Sequence, residues 1–103
     1  MRVEFKTEYL SYLYETPLDE IKGKHVFPKD IIKQYKKKIQ LLISIDSVVQ
    51  LKQFGGLNFE FLKGDRKGEC SIRINKQYRL IFEQKEAKKI SIVLINEISK
   101  HYE

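Results

Sequence analysis

The stretch LKGDRKGECSIRINKQYRLIF, residues 62–82, gathers the side chains of this sequence best suited to act on a phosphate. If residues 75–77 form a three-residue hairpin loop, Ile74 faces Tyr78, Arg73 faces Arg79 and Ile72 faces Leu80. One face of the hairpin then carries Cys70, Ile72, Ile74, Tyr78, Leu80 and Phe82 and is apolar. The opposite face carries Ser71, Arg73, Arg79 and Ile81. Two arginines directly across a ladder repel each other. Unless Glu60, Glu83 or Glu97 neutralises them, the pair is a seat for an anion such as phosphate, because a guanidinium is a planar fork of donors. Ordinary salt bridging on an exposed sheet face is the plain alternative. A two-residue loop would instead send the arginines to opposite faces.

Two further segments bear on the same chemistry. Lys63 precedes Gly64-Asp65-Arg66-Lys67-Gly68, a polar loop whose glycines permit tight turning and close backbone approach. Viewed alone it is a surface turn with scattered charges; beside the arginine pair, Lys63 is a further cation. The chain closes with NEISKHYE, where His101 and Tyr102 can transfer protons or stack on bases. Terminal residues also commonly fray.

The totals bound what these groups can serve. The 103 residues fit one domain with one core, and 42% hydrophobic with 12% aromatic residues argues against global disorder. The net charge of +6, with a pI near 9.4, favours encounter with polyanions, although it also serves plain solubility. One cysteine, Cys70, excludes an internal disulfide, and His25 and His101 are too few to build a metal site on their own. No apolar run approaches the roughly 20 residues that span a bilayer. The N-terminus alternates like a strand and lacks a signal core, so a cytoplasmic protein with no membrane partner is expected.

The elements that must hold the cations follow from periodicity. Residues 2–6 alternate, with Val3 and Phe5 on one face, and predict a strand. Thr7 caps a short helix over 8–14 whose inner side carries Leu10, Leu13 and Tyr14. Residues 15–27, with Pro17 and Gly23, read as a loop. Pro28 opens the clearest helix, with Ile32, Tyr35, Ile39, Leu42 and Ile43 as its apolar stripe. Lys29, Lys33, Lys36, Lys37 and Gln40 lie away from that stripe as a solvated face, or less simply as a contact for RNA backbone or an acidic partner. After Ile45 the helix frays or restarts through SVVQLKQF, and Gly55-Gly56 is a break. From Leu57 the period is two, which predicts strands near 58–63, 70–75, 78–84 and 90–97, with one connection at Lys76 and another at residues 85–89. Such short links make these strands antiparallel. The run ISIVLI alternates little, so the last strand is expected to be central and covered on both faces. The result is an α+β domain: an N-terminal strand and two helices packed on one face of a twisted antiparallel sheet.

LKGDRKG (62–68), SIRIN (71–75), QYRLIF (77–82) and EISKHY (97–102), in this order, resemble the HigB branch of the RelE/ParE toxin superfamily. The order of elements is also similar, over nearly the whole chain, although the N-terminal half matches in pattern only. The resemblance implies a RelE-like fold and the toxin of a type II toxin–antitoxin system. It implies a ribosome-dependent, metal-independent endoribonuclease without cofactors, which cuts mRNA codons in the decoding site. A cognate helix-turn-helix antitoxin would inhibit it and would carry the toxin to operator DNA. Residue by residue, the resemblance makes Arg79 the group that stabilises the phosphate and Lys63 a second positive contact. Arg73 would help to hold phosphate or ribosomal RNA. His101 and Tyr102 would supply proton donor and base, and Arg66, Lys67 and Lys76 would contact RNA. Three other readings compete: a ParE-like inhibitor of DNA gyrase on the same fold, an RNA-binding module without catalysis, and a basic α+β domain with no nucleic-acid role.

Overall fold

The computed structural model describes residues 1–23 and 27–100. Its strands are β1 (Arg2–Phe5), β2 (Glu60–Phe61), β3 (Cys70–Arg73), β4 (Tyr78–Ala87) and β5 (Ile90–Lys100). Its helices are α1 (Glu8–Glu15) and α2 (Lys29–Ser44). The strands form one sheet in the order β1-β5-β4-β3-β2. Neighbours from β2 to β5 are antiparallel, as expected from their short links, whereas β1 joins the other edge parallel to β5. The parallel pairing is possible because β1 and β5 are joined through the whole of the intervening chain.

Both helices lie on one sheet face. Thr7 caps α1, its Oγ1 accepting from the Leu10 N–H at 3.2 Å, and Leu10 and Leu13 are buried. Val3 and Phe5 of β1 pack toward the same core, and Phe5 stacks on Tyr14 with ring centroids 5.8 Å apart. Pro28 flanks α2 rather than entering it. The buried arc of α2 is Ile31, Ile32, Tyr35, Ile39 and Leu42. Ile43, expected in that stripe, is 43% exposed: the arc turns toward Ile31 and leaves Ile43 at its rim. Lys36 also departs from the solvated face predicted for it. Its Nζ donates to the Tyr14 carbonyl at 2.8 Å and to that of Thr16, satisfying acceptors at the C-terminal end of α1. Burial holds its proton affinity below the ordinary lysine value.

After α2 the chain restarts at Ser47, which heads a 3-10 helix over Val48–Gln53 with a capping box. The Gln50 side chain accepts from the Ser47 N–H at 3.2 Å. β2 is only two residues long, shorter than the predicted 58–63, because Asn58 adopts a left-handed conformation (φ 46°) before it and a 3-10 turn over Gly64–Arg66 soon follows. β4 and β5 run through most of the predicted connection 85–89 and leave only Lys88 and Lys89 as the turn. Both have positive φ, 49° and 69°, as a tight two-residue hairpin turn requires.

β5 lies inside the sheet, between β1 and the central β4, and is not covered on both faces. Val93 and Ile95 are fully buried toward the helices, whereas Ile92 and Leu94 on the open face are only half-buried. The register then shifts: Phe82 pairs with Ile95 but Ile81 pairs with Glu97, leaving Asn96 as the extra residue of a β-bulge. No helix among the described residues is long and apolar enough to cross a membrane.

Tyr35 ties the two helices together. It is fully buried, and its hydroxyl donates to the Leu10 carbonyl at 2.8 Å, so α2 holds α1 by a hydrogen bond inside the core. Burial raises its phenol well above the usual tyrosine value, so it remains a donor throughout the accessible pH range. Tyr35→Phe should keep the ring packing and cost about 1 kcal/mol, while Tyr35→Ala should cost about 3–5 kcal/mol, both read by urea denaturation. Equal losses from the two variants would show that the hydroxyl, not the ring, secures α1.

Candidate active site

The hairpin of β3 and β4 has the register predicted for it: Cys70 pairs with Phe82, Ser71 with Ile81, Ile72 with Leu80 and Arg73 with Arg79. Asn75 builds its turn. The Asn75 side-chain oxygen accepts from the backbone N–H groups of Gln77 and Tyr78, both at 2.8 Å, and the Ile74 N–H donates to the Tyr78 carbonyl at 2.9 Å. Such an Asx turn suits asparagine, whose short amide reaches its own backbone. Cys70, Ile72, Ile74, Leu80 and Phe82 are therefore buried against the helices. Burial lifts the Cys70 thiol to about 11, so it is a protonated core group at neutral pH. Arg73 and Arg79 emerge together on the open face, half-buried, with Ser99 of β5 beside Arg79 in the same row.

Arg79 is held without being neutralised. Its Nε donates to the Ser71 hydroxyl, and its Nη2 donates to the Asn58 carbonyl at 2.6 Å. The guanidinium thus leans across β3 toward the β2 edge. Glu83 and Glu97 are committed elsewhere, to Lys85 and Arg66, and Glu60 forms no ion pair among the described residues. Arg73 likewise has no acidic partner among the described residues. The two arginines keep their charges side by side.

The loop before β3 is pinned over the sheet. The Leu62 N–H donates to the Glu69 carbonyl at 2.9 Å and closes it, and Gly64 and Gly68 take positive φ, 65° and 101°. Arg66 is the pin. Its Nε meets Glu69 at 2.9 Å, and its Nη2 meets Glu97 on β5. Asn96, on the bulge, donates to Glu69 at 2.7 Å and to Glu83 at 2.9 Å. Chiefly the hydrogen bond from Arg66 keeps the Glu69 carboxyl below its ordinary value. Lys63 starts the 3-10 turn, and its side chain, like those of Lys67 and Lys76, is exposed and outside any ion pair among the described residues. His101 and Tyr102 lie outside the described residues. β5 is described to Lys100, which pairs with Tyr78, so the described chain ends beside the row that carries Arg79.

Sequence reasoning found the two arginines and their register but did not see what holds them. Ser71 already shared a face with Arg79 in the predicted hairpin, so its diagonal contact was there to be derived. The Asn58 contact is made by a backbone carbonyl and leaves no trace in residue type. Arg66, expected to touch RNA, is engaged with two carboxylates, a pairing that depends on the bulge at Asn96.

The comparison with known families adds to this geometry. A model described as "RelE-like toxin of type II toxin-antitoxin system HigB" matches residues 3–96. The chain belongs to the HigB-like toxin family. Among curated relatives, this HigB-like toxin is 39% identical to Toxin HigB-1 of Vibrio cholerae serotype O1 over 83 residues, covering 81% of this chain and 83% of that protein. Its fold is that of two solved structures. One is the YoeB/ParE toxin from Agrobacterium tumefaciens, at 17% identity and TM-score 0.55, covering 99% of this chain and 100% of that one. The other is the YoeB-YefM complex from Staphylococcus aureus, at 24% identity and TM-score 0.56, covering 99% and 98%. The mixed sheet with two helices on one face is thus the RelE-like architecture, and the chain is a HigB toxin of a type II toxin–antitoxin system.

The pin can be tested apart from any activity. Arg66→Ala should let the Glu69 carboxyl rise toward its ordinary value, read by carbon-13 NMR titration. Because the folded-state value is depressed, the pair stabilises the fold above the ordinary carboxylate range and loses that effect as pH falls through and below it. The half-exposed pair should be worth no more than about 1 kcal/mol at neutral pH. An unchanged Glu69 titration would remove Arg66 from this role.

Proposed function

We propose that this HigB toxin is a ribosome-dependent mRNA endoribonuclease of the cytoplasm, formed as a single toxin domain and neutralised by a cognate helix-turn-helix antitoxin. The observation that carries the reading is the half-buried Arg79 guanidinium, fixed by two neutral acceptors and set opposite Arg73. A pair placed for structure alone would be expected to acquire a carboxylate, because like charges across a ladder destabilise it.

In the proposed reaction a ribose 2′-hydroxyl attacks the adjacent phosphorus and the 5′ oxygen leaves. The steps required are in-line orientation, stabilisation of the charge that builds on the phosphoryl oxygens, and two proton transfers. Arg79 meets the phosphoryl oxygens, Lys63 supplies a second positive contact, and Arg73 holds the phosphate or neighbouring ribosomal RNA. His101 and Tyr102 accept and return the protons. Lys67 and Lys76 add contacts along the RNA backbone, and Arg66 supports the loop that carries Lys63 and Lys67. The antitoxin partner is supported by the family and by the YoeB-YefM complex among the similar folds. Operator DNA would be reached through that antitoxin.

The test mixes purified antitoxin-free protein with translating ribosomes and maps mRNA breaks. The wild type should cut within codons, and Arg79→Ala should slow cleavage by about 100-fold or more, as loss of one charge-stabilising donor does elsewhere. Equal cleavage by the variant would remove Arg79 from the chemistry. Intact mRNA with a folded wild type would overturn the nuclease reading, and gyrase-dependent DNA damage in its place would establish the ParE-like activity.

A further inference from the structure

Ser71 is the buried polar side chain of the described core, with 1% of its surface accessible. It lies on the sheet face away from the helices, two positions before Arg73 on β3, and pairs with Ile81 rather than with Arg79. A hydroxyl in such a place costs stability unless it is hydrogen-bonded. Its partner is the Arg79 Nε, reached diagonally across the ladder.

The second tether has an equally fixed direction. Asn58 sits at φ 46°, ψ 53°, a left-handed conformation that asparagine tolerates better than most residues, and this turn aims its carbonyl at Nη2 of Arg79. Nε and Nη2 form one edge of the guanidinium, so a single edge is consumed. Both N–H groups of Nη1 and the remaining one of Nη2 have no partner among the described residues. One N–H of Nη1 and that of Nη2 form the end of the fork, the geometry that meets two oxygens of one phosphate.

The chemistry of the tethers decides what they are for. A carboxylate at either place would hold Arg79 as firmly but would cancel its charge. A hydroxyl and a peptide carbonyl fix the plane of the fork and leave the full charge for an incoming anion. We propose that Ser71 is a positioning residue: it holds the Arg79 guanidinium edge-on, so that the Nη1–Nη2 end faces the scissile phosphate. The inference deepens the nuclease reading and its catalytic half rests on it; the tether itself does not.

The experiment follows the Nε–H groups of Arg73 and Arg79 by nitrogen-15 NMR, assigned with Arg73→Lys and Arg79→Lys. In the wild type the Arg79 proton should exchange with water about tenfold more slowly than that of Arg73, which lacks an acceptor among the described residues. Ser71→Ala, checked for an unchanged fold by circular dichroism, should abolish that difference. In single-turnover cleavage on ribosomes it should lower the rate by about 10- to 100-fold at saturation with little change in half-saturation, the signature of a misaligned rather than a lost contact. Ser71→Thr, which keeps the hydroxyl, should retain both protection and rate. Equal exchange of the two wild-type protons would overturn the tether without recourse to any variant. Protection lost with cleavage unchanged would overturn its role in the reaction. A wild type that cuts no mRNA would overturn the nuclease reading, while the exchange ratio would still decide the tether.

Discussion

The register of the β3–β4 hairpin is the constraint on which the rest depends. Strand side chains alternate between faces, so a slip of one residue would turn Ile72, Leu80 and Phe82 to solvent and bury two arginines among the helices. Each of those apolar side chains contributes about 1.5–3 kcal/mol on burial, so the core alone forbids the slip. The Asx turn at Asn75 closes the hairpin in the only phase the core accepts. A function that needs two cations side by side is thus specified by apolar residues on the opposite side of the same strands.

The open face is divided by what its cations are paired with. Near the hairpin turn, Arg73 and Arg79 are without carboxylate partners among the described residues. In the middle of the sheet Arg66 is balanced by Glu69 and Glu97, and Asn96 links Glu69 to Glu83. An Arg in the first region can exchange water for a polyanion, whereas one in the second would first have to break its own ion pairs. Sequence charge alone counts these arginines as equal; their neighbours make them different.

Where the pattern was local, it was legible in the sequence. The Thr7 cap, the apolar stripe of α2 apart from Ile31 and Ile43, the break after Ile45 and the arginine register all follow from spacing and residue type. Three features did not. The parallel place of β1 depends on a partner more than eighty residues away. The β4–β5 turn uses Lys88 and Lys89 in left-handed conformations, where asparagine and glycine would have announced it. The bulge at Asn96 is an offset between two strands, invisible in either strand alone. The weak alternation of ISIVLI reflects an interior strand whose outward isoleucine and leucine are half-covered, not a second layer of helices. For the candidate site, residue types pointed to the arginines, but the acceptors that aim them are a serine and a main-chain carbonyl, groups that carry no distinctive signature.

The extra residue in β5 acts as a phase shifter for the end of the chain. Up to Ile95 the odd-numbered side chains of β5 face the helices; after Asn96 the parity inverts, so that Ile98 is buried beside Leu80 and Ser99 comes out beside Arg79. Straighten the bulge while keeping every residue and the strand would still look like a strand, but Ser99 would point into the core and Ile98 into solvent. A single-residue deletion at 96 would therefore leave both on their present sides, whereas a deletion at 97, just beyond the extra residue and with the bulge kept, would act as a frameshift in space, reversing which side of the sheet the end of β5 presents.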